Sequence, residues 1–151
     1  MNFTVLSINI SPEKGTEKKP VDSVEITDRG MAEDAHSGNW HRQISLLDNE
    51  SIRVFAERTG LEISPGDFGE NITTEGIDIS LLTPGSRLKG ADSLLLEVTQ
   101  VGKECHGDDC TIFSKVGKCI MPARGVFCRV LEPGHLHRGD ILELLKIKET
   151  P

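Results

Sequence analysis

The sequence predicts a mainly β protein, built as a barrel or a sandwich, with one clear helix. Turn signals of Pro and Gly follow one another closely between Leu61 and Gly90, and such spacing is typical of short strands in all-β folds. Residues 21–27 alternate between apolar and polar side chains, which indicates a half-buried strand. These patterns favour a barrel or a sandwich over alternating βαβ units.

The first third of the chain is predicted to contain three strands joined by irregular segments. The strands cover residues 3–10, 21–27 and 43–47. Ser11 to Pro20, rich in Lys, Pro and Gly, is expected to be an exposed loop. Residues 31–41 have no period, and long irregular segments in a compact domain are often functional. Its His36 and His41 are candidate ligands or proton donors, with a purely structural role as the alternative.

The helix is predicted around residues 50–59 from its two ends and its spacing. Asp48-Asn49 is an N-cap signal, and Gly60 stands where the helix would end. Four residues between these ends follow helical spacing: Ile52, Phe55, Ala56 and Thr59. We also predict a second short helix around residues 110–116.

The last third of the chain is predicted to form three further strands. They cover residues 94–101, 126–131 and 141–147. Gly102 ends the first of them, and a loop of Gly, Asp and Lys follows. In the second strand Cys128 shares a face with Val126 and Val130, so its expected role is core packing.

Length and composition predict one soluble domain covering residues 1–151. The chain has no apolar run long enough to span a membrane and no basic region before its first apolar run, so we expect a cytoplasmic protein whose four cysteines are thiols. With 17 basic and 24 acidic side chains, it is not expected to bind nucleic acid through a basic surface. Between Val101 and Val130, however, basic residues exceed acidic ones by two. This local excess suits a small anionic ligand, or simply a solvated surface.

Cys105 is the main candidate for chemistry. It follows the end of a predicted strand and enters a polar loop, where a thiol is exposed enough to react. Zinc ligation is a weaker interpretation, because the four cysteines at 105, 110, 119 and 128 do not form two close pairs. The fingerprints of dinucleotide-binding, P-loop and hydrolase-elbow proteins are absent from the sequence.

Four stretches, taken in order along the chain, resemble the MOSC domain, the family named after the C-terminal domain of molybdenum-cofactor sulfurases. They are Asp34-Ala35-His36-Ser37-Gly38, the run from Trp40 to Leu47, the run from Gly66 to Asp78, and Leu96 to Gln100 followed by Cys105. The resemblance covers essentially the whole chain and is closest to small stand-alone bacterial members. It implies a closed or strongly twisted β-barrel that binds the molybdenum cofactor, a pterin dithiolene with a phosphate.

The resemblance also assigns roles to particular residues. Cys105 matches the family cysteine, proposed to carry sulfur as a persulfide or to ligate molybdenum, and a soft thiolate near Lys103 suits both roles. Residues matching the family's cleft are His36, Gln43, Glu70 and Asn71. Gly69 is expected to let the backbone approach the ligand closely, with a plain turn or bulge as the alternative. Arg124 is a candidate for the phosphate on grounds of charge. The chain shows no pyridoxal-phosphate site, although the family's sulfurases use that cofactor in another domain.

Three functions therefore remain open at the level of sequence. The first is a module that binds, sulfurates or passes on the molybdenum cofactor, with cofactor-biosynthesis proteins as partners. The second is a molybdenum-dependent oxidoreductase that reduces N-hydroxylated compounds, and it would need a separate redox partner because the chain has no flavin or iron–sulfur motif. The third is a zinc-stabilised structural domain. The substrate, the oligomeric state and the roles of Cys110 and Cys119 are not specified by the sequence.

Overall fold

The computed structural model describes residues 1–14, 16–102 and 125–145. The strands are β1 Asn2–Ile10, β2 Lys19–Val21, β3 Ser23–Thr27, β4 Gly30–Met31, β5 Ile44–Asp48, β6 Ile72–Glu75, β7 Arg87–Lys89, β8 Leu95–Val101, β9 Val126–Glu132, β10 Gly134–His137 and β11 Ile141–Leu145. Helix α1 covers Asn49–Thr59, and a single 3-10 turn covers Ile79–Leu81.

Seven strands form a closed barrel. Their order around the ring is β11-β7-β8-β9-β5-β6-β1, and β1 pairs with β11 to close it. Strand β2 adds to the outer edge of β1, while β10, β3 and β4 form a small separate sheet. The prediction of a mainly β barrel with a clear helix is confirmed, and closure leaves no exposed edges in the ring.

Strands β5 and β6 are the one parallel pair among the strands that the structure describes. A parallel pair needs a crossover, and α1 with the loop after it supplies one between Asp48 and Ile72. The expectation of a fold without βαβ units therefore missed this single crossover, because turn signals carry no information on strand direction. The caps were predicted correctly: Asp48 accepts a hydrogen bond from the Ser51 amide, and Gly60 is left-handed with φ 73°.

Several segments differ from the sequence-based expectation, and one lies outside the described residues. Strands β4 and β10 were not predicted, and the predicted strand 21–27 is divided at residue 22 between β2 and β3. Between residues 61 and 90 only β6 and β7 form, and the apolar run at Ile79–Leu81 is a 3-10 turn because Asp78 caps it with a hydrogen bond from Ser80. The end of the predicted loop 11–20 pairs with β1 as β2. The predicted helix at 110–116 lies outside the described residues.

Alternate residues of the barrel strands fill two cores. On β5 and β9, Ile44 and Cys128 belong to the main core, whereas Leu47 and Phe127 pack against α1 and Phe68 in a second cluster. Cys128 is fully buried, as predicted, and burial, reinforced by the charge of Glu97, raises the pKa of its thiol. It is therefore a packing residue at neutral pH.

Across the three described ranges, no helix is both long and apolar enough to cross a membrane.

Candidate functional site

Buried polar side chains gather outside the barrel wall, where β1, β5 and β6 meet the loops 31–38 and 64–71. We call this set the polar layer; its members are Ser7, Asn9, Ser11, Lys18, Asp34, Gln43, Ser45, Glu70, Asn71 and Thr73. Strand alternation explains it, because Ser45 and Thr73 point away from the main core that holds Ile44 and Ile72. Of the residues expected at the family's cleft, Gln43, Glu70 and Asn71 lie in this layer. His36 and Gly69 lie beside it, bonded to Asp34 and Ser45.

An ion pair anchors one end of the polar layer. Lys18 Nζ lies 2.7 Å from Asp34 Oδ1, and both side chains are almost inaccessible to solvent. Lys18 also donates to the Ser11 hydroxyl, and the Ser11 amide donates to Asp34. Burial alone would raise the pKa of Asp34, but the hydrogen bond and charge of Lys18 outweigh it, so the pKa is lowered. Asp34 is therefore held as a carboxylate.

His36 lies beside this ion pair. Its amide donates to Asp34 Oδ2 at 3.0 Å, and its ring Nδ1 lies 3.9 Å from the same oxygen. The side chain is 32% exposed. The His36 carbonyl accepts a hydrogen bond from the indole of Trp40 at 2.7 Å. The ion pair thus positions a partly exposed imidazole, and its role as a ligand stays a prediction.

Both ends of the Gln43 side-chain amide are hydrogen-bonded to backbone groups of the protein. Its Nε2 donates to the carbonyls of Asp28 and Gly38, at 3.0 and 2.8 Å, and its Oε1 accepts from the Val130 amide at 2.7 Å. These bonds tie the loop after β3 to β9. Gln43 is therefore placed to position the loop that carries His36.

Asn71 joins three elements of the polar layer. Its Oδ1 accepts from the amide and hydroxyl of Ser45, and its Nδ2 donates to the carbonyl of Asn9. The Asn71 amide bonds back to Ser45, and its carbonyl accepts from the Asn9 amide. Asn71 thereby extends the pairing of β6 with both β5 and β1 to the residue before β6 begins.

Glu70 is enclosed by the loop that precedes it. Its Oε2 accepts from the Gly66 amide at 3.1 Å and from the Thr73 hydroxyl at 2.8 Å. Its Oε1 is buried and has no hydrogen-bond partner in the part of the chain that the structure describes. Burial outweighs these bonds and raises the pKa of Glu70.

Gly66 and Gly69 allow the loop to close around Glu70. Gly66 has φ 91°, and a Cβ there would meet the Lys18 carbonyl at 3.0 Å and the Asn9 side chain at 3.1 Å, so only glycine fits. Gly69 has φ 84°, but a Cβ on it would meet no other described residue within 4 Å. Within the described part of the chain, the Gly69 backbone is therefore uncovered, as close approach by a ligand requires.

The strands β8 and β9 bring two chain positions together at the edge of this region. The Gly102 amide donates a hydrogen bond to the Gly125 carbonyl at 2.7 Å. The two residues that flank positions 103–124 therefore lie side by side. Cys105, Lys103 and Arg124, and likewise Cys110 and Cys119, lie outside the described residues.

Three residues form a second cluster that sequence reasoning did not assign to a site. We call Trp40, Arg42 and Phe127 the aromatic rim. The Arg42 guanidinium lies 4.7 Å from the centre of the Trp40 ring and 5.6 Å from that of Phe127. The sequence offered one sign of this cluster: Arg42 follows two residues after Trp40, the single tryptophan of the chain, at the end of an irregular segment. Phe127 is paired with Ser45, which links the rim to Gly69 and Asn71.

We expect Glu70 to make stability depend on pH. Because its pKa is raised in the folded state, its contribution is fully present below the ordinary value of 4.5 and is lost as pH rises through the folded-state pKa. In Glu70→Gln this dependence should disappear, so the difference in unfolding free energy between the two proteins should change with pH in that window. Chemical denaturation from pH 4 to 9 measures it.

The matched control for this test is Glu62→Gln, an exposed carboxyl in the same connection. It should leave the pH profile of wild-type stability unchanged. A constant difference between wild type and Glu70→Gln across the range would contradict the raised pKa.

No group of three or more His, Cys, Asp and Glu side chains suited to a metal occurs within residues 1–14, 16–102 and 125–145. Cys128 is the one cysteine in these ranges, and its burial in the main core makes it unsuited to zinc ligation. The described residues thus offer acids, amides and one stacked guanidinium as binding groups.

The sequence and the fold were compared with known protein families and solved structures. The family model described as MOSC domain matches residues 33–143. No curated protein matches the sequence significantly. Among solved structures, YuaD from Bacillus subtilis is 22% identical with a TM-score of 0.78, and the alignment covers 95% of this chain and 96% of that one.

Two structures of YiiM are also similar. The one from Geobacillus stearothermophilus is 22% identical with a TM-score of 0.74, over 95% of this chain and 75% of that chain. The one from Escherichia coli is 21% identical with a TM-score of 0.68, over 99% and 72%. At these identities the likeness shows a shared fold.

Proposed function

Because the chain belongs to the MOSC domain family, we propose that it binds the molybdenum cofactor and acts in holding, sulfurating or transferring it. The observation that carries the proposal is where the matched segment falls on the fold. It includes the loop with His36, the loop with Gly69 and Glu70, and the strand ends at Gly102 and Gly125. Hydrogen bonds of Gln43 and Ser45 on or beside β5 hold the two loops. Hydrogen bonds of Gln100 and Thr99 with His41 join the end of β8 to the segment that follows His36.

The chemistry of this region fits a phosphorylated pterin. Such a ligand needs a cation for its phosphate and neutral hydrogen-bonding groups for its heterocycle. Two buried polar atoms, Glu70 Oε1 and Arg42 Nε, have no hydrogen-bond partner among the residues that the structure describes. No other residue in the described ranges would lie within 4 Å of a Cβ on Gly69, so a ligand could approach the backbone there. These features support the fit.

Some of the described residues would contact the ligand, and others would position the loops that carry them. His36 and the Gly69 backbone would border the ligand, while Gln43, Glu70 and Asn71 fix the loops that carry them. When bound, the cofactor supplies a molybdenum–sulfur centre for the transfer of oxygen or sulfur.

Cys105 would supply the reactive thiolate. As a carrier, its sulfur would accept the outer sulfur of a partner protein's persulfide, and the partner's cysteine would leave as a thiolate. As a ligand, the same thiolate would bind molybdenum, for which soft sulfur donors are suited. Lys103, two residues before it, adds a positive charge that favours the thiolate in either role.

Incubation with cofactor released from a molybdoenzyme tests the proposal. Gel filtration should return pterin fluorescence and molybdenum in the protein fraction, in proportion to the protein. The same preparation should then be assayed with an N-hydroxylated substrate and an artificial reductant. Cofactor binding without turnover supports a holding or transfer role, and turnover supports the oxidoreductase alternative.

Two results would count against the proposal. Pterin that elutes only in the small-molecule fraction would show that the domain does not bind the cofactor. Equal retention by an unrelated barrel protein of similar charge would show that retention is unspecific.

A further inference from the structure

Arg42 of the aromatic rim has no anionic partner within the described ranges. Its guanidinium stacks on Trp40 and lies close to Phe127, and its Nε is buried without a hydrogen-bond partner. The ion pairs given by described arginines involve Arg53, Arg87, Arg129 and Arg138 instead. Among the described residues, no carboxylate therefore pairs with this stacked, partly buried arginine at the edge of the proposed site.

This arrangement favours an oxyanion. Aromatic rings contact the faces of a guanidinium, so the N–H groups on its edge stay available for a planar fork of hydrogen bonds. A buried donor without a partner costs stability, and an anion that accepts from it removes that cost. We propose that Arg42 binds an oxyanion of the phosphate class and that Trp40 forms the wall of this subsite. The inference rests on the proposed function in one respect: if the chain binds the molybdenum cofactor, the oxyanion at Arg42 is the phosphate of the pterin.

The rim is held in place by bonds that do not involve the Arg42 guanidinium. The Trp40 indole donates to the His36 carbonyl, which fixes the ring. The His41 ring is hydrogen-bonded to Gln100 at 2.8 Å, and the Thr99 hydroxyl donates to the His41 carbonyl. Gln100 in turn donates to the Gly102 carbonyl at 2.7 Å. Residues 40–42 are thus fastened to the end of β8, so the subsite is largely preformed.

Its position relates the subsite to Cys105. Gly102 and Gly125 are hydrogen-bonded to each other at the ends of β8 and β9, and Phe127 follows two residues later on β9. A ligand phosphate at Arg42 would therefore lie near the end of β8 and Gly102, three residues before Cys105 in the sequence. Arg42 is a candidate independent of Arg124, the basic residue chosen from sequence alone.

Binding of inorganic phosphate to the full chain tests the subsite. Trp40 is the single tryptophan and the chain has no tyrosine, so intrinsic fluorescence reports on the rim. Phosphate should change this fluorescence saturably, and equilibrium dialysis should give the same affinity. In Arg42→Gln the affinity measured by dialysis should fall by roughly ten- to a hundredfold, the range for a hydrogen bond to a charged group.

Two further variants make the result specific. Arg42→Lys keeps the charge but not the planar fork, so its affinity should fall between those of wild type and Arg42→Gln. Arg53→Gln, which removes an exposed arginine of α1, should bind as wild type does.

Two arms identify the source of the phosphate. If inorganic phosphate weakens retention of released cofactor by wild type but not by Arg42→Gln, the subsite takes the phosphate of the pterin. If phosphate binds through Arg42 without affecting cofactor retention, the subsite takes a free oxyanion. Absence of phosphate binding by wild type, or equal binding by Arg42→Gln, overturns the inference.

Discussion

Lys18→Met should lower the free energy of unfolding by about 3 to 5 kcal/mol, the cost of breaking a buried ion pair by removing one partner. Lys18 and Asp34 are both nearly inaccessible to solvent and lie 2.7 Å apart. Without Lys18, the carboxyl of Asp34 keeps the burial that raises its pKa and loses the charge and hydrogen bond that lower it. Chemical denaturation at pH 7 measures the loss.

The adjacent residue offers a matched control. Lys19→Met changes the same side chain at an exposed position of β2 and should alter stability by less than about 0.5 kcal/mol. In the Lys18→Met background, Asp34→Asn should restore part of the lost stability because it removes the uncompensated charge. Equal, small effects of Lys18→Met and Lys19→Met would rule out an anchoring role for the ion pair.

Cys105→Ala should abolish retention of the molybdenum cofactor with little change in stability. The physical reason is that the proposed role of Cys105 is a bond to sulfur or to molybdenum, which alanine cannot make. Retention is measured as pterin and molybdenum per chain after gel filtration, and stability as the midpoint of denaturation. Loss of a reactive thiol should therefore lower cofactor retention, whereas loss of a thiol from the core should lower stability.

Cys128→Ala provides the opposite case. Cys128 is fully buried between β5 and β8, so the substitution should cost about 1 kcal/mol of stability, as for a deleted methylene-sized group, and leave cofactor retention unchanged. Mild and equal effects of the two substitutions on both measurements would contradict the assignment of their roles.

Local signals in the sequence predicted the local structure well. The cap at Asp48, the left-handed Gly60 and the alternation on β3 each depend on a few neighbouring residues, and each is found as expected. The parallel pairing of β5 with β6 was missed because strand direction depends on where distant segments return. The closing pair of β1 and β11 joins the two ends of the chain, and only the family resemblance indicated it.

The sequence named several residues that the fold brings into the polar layer, but it did not predict their arrangement, and their role in a site stays a prediction. Gln43 and Asn71 were expected at the cleft, and the structure shows their amide groups bonded to Val130, Ser45 and Asn9, which no spacing rule connects to them. The pair of Lys18 and Asp34 likewise joins two loops, and its lysine was expected to be solvated. From the sequence, Arg42 was noted only as one residue of the run from Trp40 to Leu47 that resembles the family. Its contact with Phe127 could not be predicted, because Phe127 lies on a strand far away in the sequence.

The most direct test is the molybdenum and pterin content of the wild-type protein, purified from a host that makes the cofactor. The account predicts that molybdenum and pterin occur together, in a constant ratio to the protein across the gel-filtration peak. Zinc alone, or neither metal nor pterin even after incubation with released cofactor, would contradict it and leave only the shared fold.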